Sequence, residues 1–157
     1  MGSRVSDPAL DFALKCVEAV RGAYDAGSEV PKRFRARCRH LIESIYYSGL
    51  TYTLAYVASK AGDAILNRVL VEPEPEAIVK QVKDQVRGAE EASYALYGAF
   101  LLASLKQIGV PEVVSAKTVL DALGNLNRSA TVVIAEEKAL RFAEWLKRLA
   151  ESVFEAE

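Results

Sequence analysis

PKRFRARCRHLIESIYYSGLTYTLAYVASKAG, residues 31–62, opens on a proline, closes on a glycine and carries apolar residues at helical spacing between them. At about 100° per residue, Phe34, Cys38, Leu41, Ile42 and Ile45 share one stripe, which Tyr52 and Tyr56 continue. Pro31 suits a first helical turn, where its missing N–H has no partner to lose, and Gly62 suits a stop. The stretch therefore predicts one helix of about 30 residues. Tyr46, Leu50, Thr53, Leu54 and Val57 lie off the main stripe, so the second half is apolar nearly all round. Such a helix is central or is covered by a partner, and Tyr46 and Leu50 are candidate partner contacts.

The first half carries Lys32, Arg33, Arg35, Arg37, Arg39 and His40, which fan over the face opposite the stripe. The whole chain has 20 Lys and Arg against 21 Asp and Glu, a formal charge of -1. Attraction to a polyanion must then come from a local patch and not from net charge. The competing interpretation of the same residues is an ordinary solvated face.

The rest of the 157 residues extends the helical pattern. Asp7 followed by Pro8 makes a cap and first turn, after which Leu10, Ala13, Leu14, Val17, Val20, Ala23 and Tyr24 recur at helical spacing up to Gly27. A short helix over 63–71 precedes a loop at 72–76, Glu-Pro-Glu-Pro-Glu, where two prolines remove backbone donors. A long pattern from Glu76 to Ile108 includes the apolar run Ala92 to Leu105, which predicts a buried helix. Gly88 and Gly98 inside it mark either a break or close packing. Ser115 is the expected cap of a shorter helix ending near Gly124, and Ser129 the start of the last, running to about Phe154. No strand pair with hairpin chemistry occurs. The expectation is an all-α, single-domain bundle of about six helices spanning 1–157.

The last helix has a core stripe of Ala135, Ala139, Phe142, Leu146, Leu149 and Val153. Beside it Lys138, Arg141, Trp145 and Arg148 share a face. A lone Trp among guanidinium groups could stack on a base or anchor a partner; equally, it could cover the core edge under long Arg stems.

Catalytic chemistry finds little support. Glu90-Glu91 and Glu136-Glu137 are neighbours pointing about 100° apart, which suits solvated faces better than a shared substrate. His40 has no companion histidine or carboxylate cluster, and none of the nine glycines falls in a phosphate-cradling pattern. Cys16 and Cys38 are expected as buried thiols, since their spacing suits neither a metal pair nor a disulfide scaffold, with a disulfide as the alternative for a hyperthermophile source. No enzyme activity, metal or cofactor is expected. The apolar run of about 14 residues is shorter than the roughly 20 a membrane span needs, and no signal segment is visible. A cytoplasmic protein without membrane contact is the expectation. One Met, three Asn and three Gln beside abundant Arg and Glu lean toward a thermophile.

Two stretches resemble the small α-helical subunit of the type III-B, or Cmr, CRISPR effector complex. From Phe34 to Lys60, the family's basic residues, Leu, Ile, Gly-Leu, Thr-Leu-Ala and aromatic are carried by Arg35, Arg37, Leu41, Ile45, Gly49, Leu50, Thr53, Leu54, Ala55 and Tyr56. From Ala139 to Ala150, ALRFAEWLKRLA is similar to its terminal helix through Trp145, Leu146, Lys147, Arg148 and Ala150. Leu149 stands where the family usually has Phe, and Val132 and Val133 where a Tyr-Arg often opens the helix.

The resemblance implies a non-catalytic subunit whose copies stack head to tail beside the guide-RNA backbone. They would touch large and backbone subunits and line the path of target RNA in antiviral defence. On this reading Lys32, Arg33, Arg35, Arg37, Arg39, Arg141 and Arg148 are candidate RNA contacts, and Tyr46, Leu50 and Trp145 candidate partner contacts. Two alternatives compete: a protein-only helical adaptor whose basic face meets acidic surfaces, and a free-standing DNA-binding module. The latter lacks the turn signal of a helix-turn-helix.

Overall fold

The computed structural model describes residues 6–157. Nine helices and no strand occur among them: α1 (Pro8–Ala23), α2 (Glu29–Ser48), α3 (Leu50–Ala61), α4 (Asp63–Val69), α5 (Pro75–Gln85), α6 (Ala89–Gln107), α7 (Pro111–Val114), α8 (Val119–Arg128) and α9 (Val132–Val153). The all-α expectation holds, with nine helices in place of about six.

Helix α6 is the axis of the molecule. Every residue from Ala92 to Leu105 is buried, because α2, α3, α4, α5, α7 and α9 all pack around it. The hydroxyls of Ser93 and Ser104 inside this run donate to the carbonyls of Glu90 and Leu101 at 2.7 and 2.8 Å, so neither is left unpaired. Gly88 and Gly98 have different roles. Gly88 is the extended N-cap of α6 and ends the single helix expected over 76–108. Gly98 is a contact point: a Cβ there would lie 2.4 Å from Val57 Cγ1 of α3 and 3.3 Å from Leu66 Cδ2 of α4. A residue without a side chain is what lets α3 press on α6.

The expected 30-residue helix is two. Gly49 has φ 93°, a conformation that side-chain-bearing residues rarely adopt, and it separates α2 from α3. The first orphan donor of α3 is satisfied from far away. Glu136 of α9 accepts from the Leu50 N–H at 2.9 Å, so this carboxylate caps α3 where its solvated neighbour Glu137 does not. Periodicity missed the break because the apolar spacing continues in register on either side of the glycine.

Smaller corrections have similar causes. Pro75 opens α5, so the proline loop lies a residue or two earlier than 72–76. Thr118, not Ser115, caps α8, accepting from the Asp121 N–H at 3.1 Å, and that helix runs on past Gly124 to Arg128. Ser115 instead donates to the Pro111 carbonyl at the end of the unexpected α7. Ser129 does not start α9, because its hydroxyl donates to buried Glu112 at 2.5 Å; Thr131 adds a second bond at 3.2 Å. The Ser129 bond in particular holds the Glu112 carboxyl below its usual range. In α9 the fully buried residues are Ala135, Ala139, Phe142, Ala143, Leu146 and Ala150, while Leu149 and Val153 only border the core. Alanines at 139, 143 and 150 let α1 and α2 both approach this helix.

Candidate nucleic-acid interface

The face of α2 toward the core is lined by Phe34, Cys38, Leu41 and Ile45, and the basic residues divide around it. At 100° per residue, Lys32, Arg35 and Arg39 fall roughly 100–160° from Phe34 on one side, and Arg33 and Arg37 roughly 60–100° on the other. The single opposite face expected from sequence is therefore two flanks. Lys32, Arg35 and Arg39 make no ion pair among the described residues, and Arg39 is exposed. Arg33 is engaged by Glu29 one turn earlier, at 3.5 Å.

Arg37 is turned inward. Its guanidinium lies 4.4 Å from the ring centroid of Tyr94 at the start of α6, and its Nη1 donates to the Tyr94 hydroxyl at 2.8 Å. Tyr94 meets Tyr56 of α3 edge-on at 6.0 Å. Tyr56 runs nearly parallel to Tyr52, with centroids 6.5 Å apart and planes inclined by 12°. Lys60 completes the row, its ammonium 5.6 Å from the Tyr56 centroid. Burial, and then the contact with the Tyr56 hydroxyl, pushes the Tyr94 phenol above its ordinary value. The spacing of Tyr52, Tyr56 and Lys60, four residues apart along α3, was legible in sequence; their union with Tyr94 and Arg37 was not.

The α9 candidates are largely occupied within the chain. Asp7 caps α1, accepting from the Ala9 N–H at 3.0 Å. Its Oδ2 also accepts from Arg141 Nε and Nη2 at 3.2 and 2.9 Å and from the Trp145 indole at 3.0 Å. Trp145 is thus half-buried at the core edge, pinning α9 to the start of α1. Arg148 pairs with Glu144 at 3.0 Å and remains largely exposed. Leu50, a candidate partner contact, is a correction: it is fully buried in the core and offers no side-chain surface. Tyr46 is exposed, as is its neighbour Tyr47; with Ile42, Leu140, Glu43, Arg141 and Glu144 they line a groove of about 440 Å³ between α2 and α9.

The Arg141 guanidinium, more than any other partner, holds the Asp7 carboxyl below its ordinary value. A depressed carboxyl stabilises the fold above the unfolded value near 3.8, and that contribution is lost as pH falls through the lower folded value. Asp7→Ala should cost about 1–2 kcal/mol at pH 7, from the lost cap and an indole N–H without its acceptor. In urea titrations the gap between the two proteins should close below about pH 4. A gap that stays constant to pH 2.5 would mean that the neutral carboxyl does the same work.

Among the described residues no group of three or more His, Cys, Asp or Glu is placed to hold a metal ion, and no helix is long and apolar enough to cross a membrane. Cys16 and Cys38 are buried free thiols.

The sequence profile of the CRISPR-associated protein family Cas_Cmr5 matches residues 7–153. The CRISPR system CMR subunit Cmr5 of Saccharolobus solfataricus is 29% identical over 157 residues, which cover 92% of this chain and 94% of that one. Among solved structures, a chain of the type III-B Cmr-beta complex bound to non-cognate target RNA superposes with a TM-score of 0.70 at 27% identity, over 98% of this chain and all of the other. A second, from the complex bound to cognate target RNA and AMPPnP, gives 0.68 at 26% identity, over 95% and 97%.

Proposed function

This chain belongs to the Cas_Cmr5 family, and from that membership we propose that it is a non-catalytic small subunit of a type III-B CRISPR (Cmr) ribonucleoprotein. In this reading copies of the chain stack in a filament beside the guide-RNA backbone, contact the backbone and large subunits, and help to hold target RNA. Similarity to chains of target-RNA-bound complexes supports it. The observation that carries the RNA role is the flank of α2 on which Lys32, Arg35 and Arg39 stand without carboxylate partners among the described residues. Cations held on a rigid helix neutralise phosphates without reading bases. Two or three such cations bind weakly in a free subunit, but copies aligned in one assembly make the later encounters intramolecular.

The test is Arg35→Glu with Arg39→Glu in the assembled complex. Arg39 is exposed, where charge changes typically move stability by under about 0.5 kcal/mol; Arg35 is half-buried, so a denaturation curve of the variant subunit accompanies the RNA measurement. Target RNA should be held more weakly whatever its sequence, and the salt slope should fall by roughly 0.7 for each single-strand phosphate no longer neutralised. Unchanged retention at every salt concentration would refute the RNA role. A second reading, a protein-only adaptor, is favoured by Tyr46 and Tyr47, which are 70% and 81% exposed beside this flank. Its outcome is loss of assembly in the same variant.

A further inference from the structure

The aromatic row across α3 and α6 is built like a stacking platform. Tyr52 is 58% exposed, yet its ring is not free to wander: Tyr56 lies nearly parallel to it on one side, and Tyr56 is in turn braced edge-on by buried Tyr94. Tyr94 is fixed by the Arg37 guanidinium over its ring and on its hydroxyl. The root of the row is equally firm. Gly49 and the Glu136 carboxylate set where α3 begins, two residues before Tyr52, and the Thr53 hydroxyl bonds both the Gly49 carbonyl and Ser44 of α2. An exposed ring held in place by a chain of neighbours loses little conformational freedom when something stacks on it.

We propose that Tyr52, backed by Tyr56, is a stacking site for an unpaired base of RNA, with Lys60, one turn past Tyr56 on α3, for a phosphate of the same strand. The inference rests on the RNA-holding reading above and gives it a second, uncharged component. The charges choose this ligand over a protein. Cations flank the row at its buried end and its middle, Arg37 on Tyr94 and exposed Lys60 near Tyr56, and Arg33 continues the basic flank one turn before Arg37 on α2. Aromatic rings interleaved with cations form the surface single-stranded nucleic acid uses: π faces accept any base, and the cations follow the backbone.

The test uses the assembled complex with target RNA carrying 2-aminopurine at successive positions, comparing wild type, Tyr52→Phe and Tyr52→Leu. Phenylalanine keeps the π face and leucine removes it at similar bulk. Retention should be unchanged in the Phe variant and about ten-fold weaker in the Leu variant. The salt slope should be the same in all three, because no charge is removed. At least one 2-aminopurine position, one for each copy that meets the target, should brighten in the Leu variant as its base unstacks. Retention in the Leu variant equal to wild type, or equal losses in Phe and Leu, overturns the platform. Failure of the Leu variant to assemble also overturns it, in favour of a protein covering the row. If Tyr52→Leu is silent while Arg35→Glu with Arg39→Glu releases RNA, only the platform falls; if both are silent, the RNA reading falls with it.

Discussion

Gly98→Leu is expected to lower the stability of the isolated chain by about 3 kcal/mol or more, a large share of the 5–15 kcal/mol typical of a domain. The first added carbon alone would sit 2.4 Å from Val57 Cγ1, well inside van der Waals distance. Val57 is fully buried and, being β-branched on a helix, is held near one rotamer, so it cannot swing away. Helices α3 and α6 would have to separate. Gly98→Ala is the finer probe, because two terms oppose each other. Alanine gains about 1 kcal/mol of helix propensity over glycine, while overpacking costs about 1–3 kcal/mol. Net destabilisation of about 1 kcal/mol is expected. Removing the clashing methyls should reverse the sign: Gly98→Ala in a Val57→Ala background should be neutral or stabilising, with a coupling of at least 1 kcal/mol in a urea double-mutant cycle. Additive effects within about 0.3 kcal/mol would show that the two helices do not meet through this glycine.

Arg37→Ala should cost about 2–3 kcal/mol, although it looks from sequence like its neighbours in the basic run. It removes a partly desolvated cation over the Tyr94 ring, about 1 kcal/mol, and a charge-assisted bond to the Tyr94 hydroxyl, about 1.5 kcal/mol or more. Arg37→Lys should recover only part, since a single ammonium cannot reach both the ring and its hydroxyl as the wider guanidinium does. Arg39→Ala, at an exposed site, should stay within about 0.5 kcal/mol of wild type, and Arg35→Ala, at a half-buried site without an ion-pair partner among the described residues, should cost less than Arg37→Ala. Chemical denaturation of the four variants separates the flanks. Equal costs at 35, 37 and 39 would mean that the basic residues form one face after all. The division also decides which residues test RNA binding: a charge reversal at Arg37 would mix a folding defect into the result, whereas exposed Arg39 gives the cleanest reversal and half-buried Arg35 the next.

Several features were legible from one dimension because their causes are local. The Asp7-Pro8 start, the proline before α5 and the run from Ala92 to Leu105 depend on backbone donors and on apolar content within a few residues. The run was readable as buried because no polar residue large enough to need water interrupts it. The resemblance carried by Arg35 to Tyr56 and by Trp145 to Ala150 identified the family, which the match over 7–153 then established. The basic cluster was legible as a cluster, but its division was not. Arg37 differs from Arg39 only in what stands opposite, and Tyr94 is 57 residues away along the chain.

Sequence by itself determined the helical class, the central helix, the two thiols inside the core and the concentration of cations on α2, since each follows from composition and periodicity along one element. Tertiary structure alone decided where α2 ends and α3 begins, because the carboxylate that caps α3 comes from Glu136, 86 residues on. It alone placed Leu50 in the core and made Trp145 and Arg141 partners of Asp7. It also joined Tyr52, Tyr56, Tyr94 and Arg37 into one row. The physical reason is common to all: a helix periodicity says which residues share a face, while the identity of the group across from that face depends on packing between segments distant in the chain.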